Sequence, residues 1–347
     1  MPTVVMAAKV AFQLRNRIWK DAPVSIHIAG INFVLYPAGS EAFFLWSRIR
    51  IESAELGFAI DNLAPGAIFC DIGGNAGVFT LLASAKLRMH GGGGRIFTFE
   101  PTPWTHELLQ RNLALNDVQD VTVVHAALGK EVGTATLYVN ATGSEGLNSL
   151  ARPIRRDAHV VEEVKVPVMP LDAVLRQHGV DHVDLIKIDV EGAELLVFQG
   201  ASEILAADDA PVILFECYPD NAVPFGYHPV EILWLLEGHG YEIALLLDDG
   251  SLCPRPAGTY HGSMVAAKPV QMREIVKGKS RRKLRSSSSS WIRSALGVRC
   301  VTLTSARTGS STFGQARWCS GRLPCNCRQT GTLCHRRSTL STHSTVC

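Results

Sequence analysis

The sequence predicts an α/β fold: a doubly wound, mostly parallel sheet with helices on both faces. Three observations point there. Between Pro65 and Ala267, short apolar runs alternate with segments of helical spacing. The runs are near-continuously apolar, as strands buried on both faces are. The first run leads through a glycine turn, FCDIGGNAGVFTLL (69–82), into a helix. Open sheets of this kind bind ligands at their strand ends.

The elements follow in order. MPTVVMAAKVAFQLRNRIWK (1–20) reads as a loosely amphipathic helix. Lys9 breaks its apolar stretch and the charges follow that stretch, opposite to a secretory signal. IHIAGINFVLY (26–36) reads as a hairpin around Ala29 and Gly30. Residues 41–60 carry helical spacing, and Pro65-Gly66 breaks the chain. AIFCD (67–71) is a buried strand, and Asn75 to Leu87 a helix. RIFTFE (95–100) is the second strand. The next helix runs from Pro103 to Leu115, with Trp104, Leu108, Leu109 and Leu113 on one side. VTVVHA (121–126) is the third strand, and TATLYV (134–139) and VKVPVM (164–169) are extra extended pieces. A short helix covers Leu171 to His178, then VDLIKID (183–189) is a strong strand. Ala193, Leu196, Val197, Gly200, Ala201, Ile204 and Leu205 form one apolar stripe of a single helix. PVILFEC (211–217) is a strand, and Pro229 opens a helix at its favoured first position. YEIALLL (241–247) and YHGSMVAA (260–267) complete the sheet.

Composition divides the chain. It has 347 residues, 46% of them hydrophobic, and a formal net charge of +2. From Lys277 onward there are 14 Lys or Arg and no acid, leaving 20 bases against all 32 acids before it, a net of −12. We divide the chain into an N-terminal helix and hairpin extension (1–64), a ligand-binding domain (65–270) and a basic low-complexity tail (271–347). The tail lacks periodicity and acids, and cannot bury enough apolar surface to offset its ordering entropy. Cys319, Cys325, Cys327 and Cys334 lack the paired C-x-x-C halves of common zinc modules, so no metal is expected. The tail's charge allows only nonspecific attraction to nucleic acid or membrane, so no specific nucleic-acid partner is expected. No apolar run approaches the ~20 residues of a membrane helix. Cys70, Cys217 and Cys253 sit in or near apolar runs, as free buried thiols do, which suits a cytoplasmic protein.

The glycine turn carries the chemistry. Dinucleotide sites use G-x-G-x-x-G after the first strand. Here the pattern is Asp71, Gly73, Gly74, Asn75, Gly77, with Asn75 in place of the middle glycine. An acid at the strand end opposes pyrophosphate: two unit charges ~5 Å apart at an effective dielectric of ~20 cost about 3 kcal/mol. A phosphate-free cofactor with cationic groups turns that cost into a gain, and S-adenosylmethionine fits. Glu100 ends the second strand, where an acid accepts ribose hydroxyls. Asp71 as a plain helix N-terminal acid, and Glu100 as a surface acid, are the bland alternatives.

DIGGNAG (71–77), FTFEP (97–101), NLALND (112–117) with HAALG (125–129), and above all LIKIDVEGAELLVFQGA (185–201) resemble the FkbM-type methyltransferases. The resemblance spans roughly Pro65 to Ala267. It implies a class I, Rossmann-like seven-stranded sheet with the last strand antiparallel, and S-adenosylmethionine as cofactor. By motif position it places Asp71, Gly73, Asn75 and Gly77 around the aminoacid part and Glu100 at the ribose. Ala126 and Ala127 fall near the adenine, and Asp189 near the methyl group or substrate. The family's reaction is O-methylation of small molecules and sugars, so the expected partner is a small-molecule or glycan acceptor.

Methyl transfer to a hydroxyl needs a group to take up its proton. Asp189 and Glu191, at a strand-to-helix turn, are the first candidates, and Glu216 at the end of the fifth strand is a third. His125 and His228 are alternatives to them. Residues 130–170 and YPDNAVPFGYHP (218–229) are expected to shape the acceptor pocket through Asn148, Ser149, Arg152, Tyr218, Asn221 and Tyr227. Two other readings stay open: an NAD(P)-binding oxidoreductase on a similar sheet, and a non-catalytic product with an aberrant tail.

Overall fold

A computed structural model of the chain describes residues 11–14, 17, 23–35, 54–140, 147–154 and 160–284. The expected hairpin forms from β1 (Val24–Ile28) and β2 (Ile31–Leu35). Its two turn residues, Ala29 and Gly30, both have positive φ, 55° and 80°. That arrangement matches the twist of paired strands. Most of the expected helix at 1–20, and residues 36–53, lie outside the described residues. Helix α1 (Ala54–Asp61) buries Leu56, Phe58, Ala59 and Ile60.

The alternation then runs as the sequence implies: β3 (Ile68–Ile72), α2 (Val78–Met89), β4 (Arg95–Phe99), α3 (Pro103–Leu115) and β5 (Val121–Val124). The extra extended pieces are real. β6 (Ala127–Leu128), β7 (Gly133–Asn140) and β8 (Val160–Met169) make a small separate sheet, with β7 and β8 antiparallel. The chain re-enters the main sheet through α4 (Leu171–Gln177) and β9 (Leu185–Ile188). After α5 (Glu194–Gln199) and α6 (Ser202–Ala206) come β10 (Val212–Cys217), α7 (Pro219–Ala222) and α8 (Val230–Gly238). The fold ends with β11 (Glu242–Leu246), β12 (Leu252–Pro254), β13 (Gly262–Ala267) and α9 (Pro269–Leu284).

The main sheet has the order β12-β11-β13-β10-β9-β3-β4-β5. β10, β9, β3, β4 and β5 are parallel neighbours, and β13 is antiparallel to both β10 and β11. This is the expected seven-stranded sheet with its last strand reversed. The three-residue β12 adds an eighth strand at the edge.

Alternation along the strands assigns two faces. Cys70, Ile72, Phe97, Phe99, Ile186, Ile188, Ile213 and Phe215 share one apolar core with α4, α5, α6 and α8. Phe69, Asp71, Ile96, Thr98, Leu185 and Lys187 project to the other face, where Thr80 of α2 bonds both Asp71 and Thr98.

Two differences from the sequence reading concern helices. The stripe from Ala193 to Leu205 is carried by two short helices, interrupted at Gly200 and Ala201. The chain beyond residue 270, assigned to the tail, begins as α9 and stays helical to Leu284. Residues 285–347 and the cysteines among them lie outside the described residues. No helix among the described residues is long and apolar enough to cross a membrane.

Candidate active site

The carboxyl ends of β3, β4 and β9 open into a cleft with about 870 Å³ of empty space. The glycine turn forms one wall. Gly73 and Gly74 donate their N–H groups to the Phe99 carbonyl, both at 3.0 Å. Gly73 has φ +84°, and a Cβ on it would collide with the Asp189 carbonyl oxygen. The turn and the end of β9 are therefore in backbone contact, which only glycine permits. Asn75, also at positive φ (46°), lines the cleft. Gly77 does not line it; the Gly77 N–H closes the turn on the Gly74 carbonyl at 2.8 Å.

Glu100 is 6% exposed and lines the cleft. Both of its oxygens are fixed: the Asn75 N–H donates to Oε2 at 3.0 Å and the Thr102 N–H to Oε1 at 2.8 Å. Burial pushes this carboxyl above its ordinary pKa, and the two backbone donors oppose that. The Thr102 side chain bonds the same carboxyl, and the carboxylate's remaining acceptor capacity faces the cleft for a ligand hydroxyl. Beyond Glu100 the walls turn apolar, with Ala126, Ala127, Leu128, Leu137 and Leu150. Thr105 lies among them, its buried Oγ1 without a hydrogen-bond partner among the described residues.

Asp71 is placed differently from the sequence expectation. It is fully buried and is not among the residues lining the cleft. The strand runs one residue further than AIFCD suggested, to Ile72. Asp71 is therefore penultimate, and its side chain lies on the α2 face of the sheet. There Thr80 Oγ1 donates to Oδ2 at 2.6 Å, and Lys187 Nζ stands 3.5 Å from Oδ1, an ion-pair contact. Burial raises the Asp71 pKa, against the pull of Lys187 and Thr80. The acid therefore faces Lys187 inside the fold and not the mouth of the cleft, where the sequence reading sets it against pyrophosphate. Glu216 is displaced for the same reason. It is penultimate in β10, is not among the cleft-lining residues, and its pKa is pushed up to about 7 by burial and then by the Asp189 carboxylate.

Asp189 and Glu191 do line the cleft. Asp189 is the first residue past β9, 40% exposed at its side chain, with Oδ2 3.6 Å from Lys187 Nζ. Glu191 sits at φ 52°. Its Oε2 accepts from Asn221 Nδ2 at 2.8 Å, and its carbonyl accepts from Ser149 Oγ at 2.8 Å. Behind this turn Glu194 accepts from the Gly192 N–H at 3.2 Å and from Tyr227 OH at 3.3 Å. Burial pushes Glu194 up to about 7.

Lys187 is the site residue the sequence reading missed. It lines the cleft at 6% exposure and donates to the Gly73 carbonyl at 3.0 Å. The signal was available: a lysine inside the apolar run LIKI must find a counter-charge if it is buried. Of the expected acceptor residues, Asn148 lines the main cleft. Ser149 and Asn221 line a smaller adjoining cavity with Glu191. Tyr227 braces Gly192 and Glu194, while Arg152 pairs with Glu163. His125 stacks on His106 and His228 packs on Tyr260; neither lines the cleft. Among the described residues no cluster of His, Cys, Asp or Glu could hold a metal.

The site's ionisable lining is thus Glu100, Asp189 and Glu191 against Lys187. Comparison with known proteins gives this arrangement a context. The sequence profile of the methyltransferase FkbM domain matches residues 71–243. Methyltransferase sdnD of Sordaria araneosa is 30% identical over 228 residues, covering 58% of this chain and 83% of that protein. Methyltransferase 1 of Beauveria bassiana is 33% identical over 177 residues, covering 47% and 68%. The 31-O-demethyl-FK506 methyltransferase FkbM of Streptomyces tacrolimicus is 26% identical over 234 residues, covering 60% and 85%.

Proposed function

The chain belongs to the FkbM family of methyltransferases, and from that premise we propose that it transfers a methyl group from S-adenosylmethionine to a hydroxyl of a small molecule or sugar, in the cytoplasm. The observation that carries the cofactor assignment is Glu100. A buried carboxylate clamped by two backbone N–H groups is preorganised to accept a vicinal diol. Thr105, whose hydroxyl has no partner among the described residues and sits among apolar walls, suits the edge of a purine. Three acids against one base in the lining favour a ligand that brings positive charge. Bound there, S-adenosylmethionine supplies an electrophilic methyl group.

The chain's residues then divide the work. Lys187 holds the Gly73 carbonyl and sits between Asp71 and Asp189, fixing the floor of the site. Asp189, partly exposed in the cleft, takes up the proton of the acceptor hydroxyl. Glu191, oriented by Asn221, accepts a hydrogen bond from a neighbouring hydroxyl of a polyhydroxylated acceptor. Glu216 stands behind Asp189 and shares its charge environment.

Calorimetry tests the cofactor assignment. The wild-type protein should bind S-adenosylmethionine and ignore NAD, and Glu100→Ala should weaken binding by at least about tenfold, one lost charged hydrogen bond. NAD binding in preference, or a Glu100→Ala protein that binds as wild type, defeats the assignment. Labelled S-adenosylmethionine and a cell extract would identify the methylated product. Asp189→Asn should keep cofactor affinity and lower turnover ~10² to 10⁴-fold.

A further inference from the structure

One buried side chain links the N-terminal hairpin to the glycine turn by hydrogen bonds. Asn112 of α3 is fully buried, and its side-chain amide makes three hydrogen bonds. Its Oδ1 accepts from the Val34 N–H at 2.8 Å, and its Nδ2 donates to the Val34 carbonyl at 3.0 Å and to the Ala76 carbonyl at 2.9 Å. Val34 belongs to β2, while Ala76 lies in the middle of the turn that walls the cleft.

A second asparagine shows what is special about the first. Asn116 treats Asn32 as Asn112 treats Val34: Oδ1 accepts from the Asn32 N–H at 2.8 Å, and Nδ2 donates to the Asn32 carbonyl at 2.7 Å. The repeats match. Four residues of helix advance ~6 Å and two residues of strand ~6.8 Å, so asparagines at i and i+4 imitate a neighbouring strand along the free edge of β2. Asn116's remaining bond goes back to the Asn112 carbonyl at 2.7 Å, within its own helix. Of the two, Asn112 alone touches the glycine turn.

We propose that Asn112 is a positioning residue for the cofactor: oriented by the hairpin, it holds the Ala76 carbonyl and thereby the 73–77 turn in its binding conformation. That turn needs external support. Gly73, Asn75 and Gly77 all have positive φ, a backbone costly to hold at the non-glycine position. Its N–H groups at Gly73, Gly74, Asn75 and Gly77 are hydrogen-bonded, so loosening has a direct readout.

The inference rests on the S-adenosylmethionine reading for its effect on binding, and the test separates the two. Asn112→Ala, Asn112→Ser and Asn116→Ala are made in the full chain and compared with wild type at a temperature where all are folded by circular dichroism. Two measurements are taken: calorimetric affinity for S-adenosylhomocysteine, and amide hydrogen exchange of the peptide covering 73–78 in the ligand-free protein. Both Asn112 variants should speed exchange of that peptide and weaken affinity by about tenfold or more, the scale of one orphaned buried carbonyl. Asn116→Ala, whose bonds to Asn32 are exposed, should cost less stability and leave both readouts within twofold. Wild-type exchange in the Asn112 variants overturns the proposal, as does an Asn116→Ala protein that loses as much as they do. Failure of wild type to bind S-adenosylhomocysteine sinks the cofactor reading instead, and the exchange data still decide the coupling. Should Asn112→Ala not fold, Asn112→Ser, which keeps a donor and an acceptor, supplies the comparison.

Discussion

Asp71 and Lys187 meet because β3 and β9 are parallel neighbours that pair these two residues in register. Position relative to the strand end decides each acid's work. Glu100 and Asp189 are the first residues past β4 and β9, and both line the cleft. Asp71 and Glu216 are penultimate within their strands, so the pleat turns them onto the α2 face. The buried pair yields a testable cycle. Lys187→Met leaves the Asp71 carboxylate without its counter-charge and should destabilise the fold by about 3 kcal/mol at pH 8. The deficit should shrink toward pH 5. Without the ammonium the folded-state pKa of Asp71 rises further, and a raised carboxylate pKa removes stability as pH climbs from the unfolded pKa through the folded one. Combining Asp71→Asn with Lys187→Met should recover most of the loss. Urea midpoints at the two pH values measure this, and strictly additive losses would show that the pair is not coupled.

At the scale of elements, the apolar stripe after β9 is a continuous pattern on a discontinuous helix. Gly200 caps α5, and two separate segments, Gly129 just after β6 and Pro170 just after β8, pass directly over it. A Cβ at Gly200 would collide with the Gly129 carbonyl oxygen and lie 3.1 Å from Pro170 Cα. Both obstacles are backbone, so relief requires moving the small β6–β8 sheet against α5. Gly200→Ala gains helix propensity, worth ~1 kcal/mol in a free helix. Here it should nevertheless destabilise by about 1–3 kcal/mol, the scale of overpacking. A thermal shift upward for that variant would refute the close-approach argument. The stripe was readable because hydrophobic spacing reports burial. The break was not, because the backbone that meets Gly200 lies far off in the chain, 71 residues earlier at Gly129.

Over the whole molecule, charge is segregated along the chain. The cleft is lined by residues between Ile72 and Ala193, inside the acidic portion. Ending the chain at Leu284 removes nine arginines and no acid, taking the formal net charge from +2 to −7. Such a protein should lose retention on heparin, an electrostatic effect. It should bind S-adenosylmethionine within about twofold of the full chain, since none of the described cleft residues is removed. A larger drop in affinity would assign the basic segment a part in the site.

The sequence by itself determined the sheet's strands, their alternation with helices, the family, and several of the residues around the cleft, because strand burial and glycine turns are local properties written in spacing and composition. Glu100, Asp189 and Glu191 could be chosen that way. Only tertiary structure decided that Asp71 turns inward to Lys187, that Glu216 stands behind the cleft, and that Asn112 ties Val34 to Ala76. Each of these depends on which strands become neighbours and on where a strand ends to within one residue. A one-residue shift reverses the face of a side chain, and nothing in the local sequence fixes it.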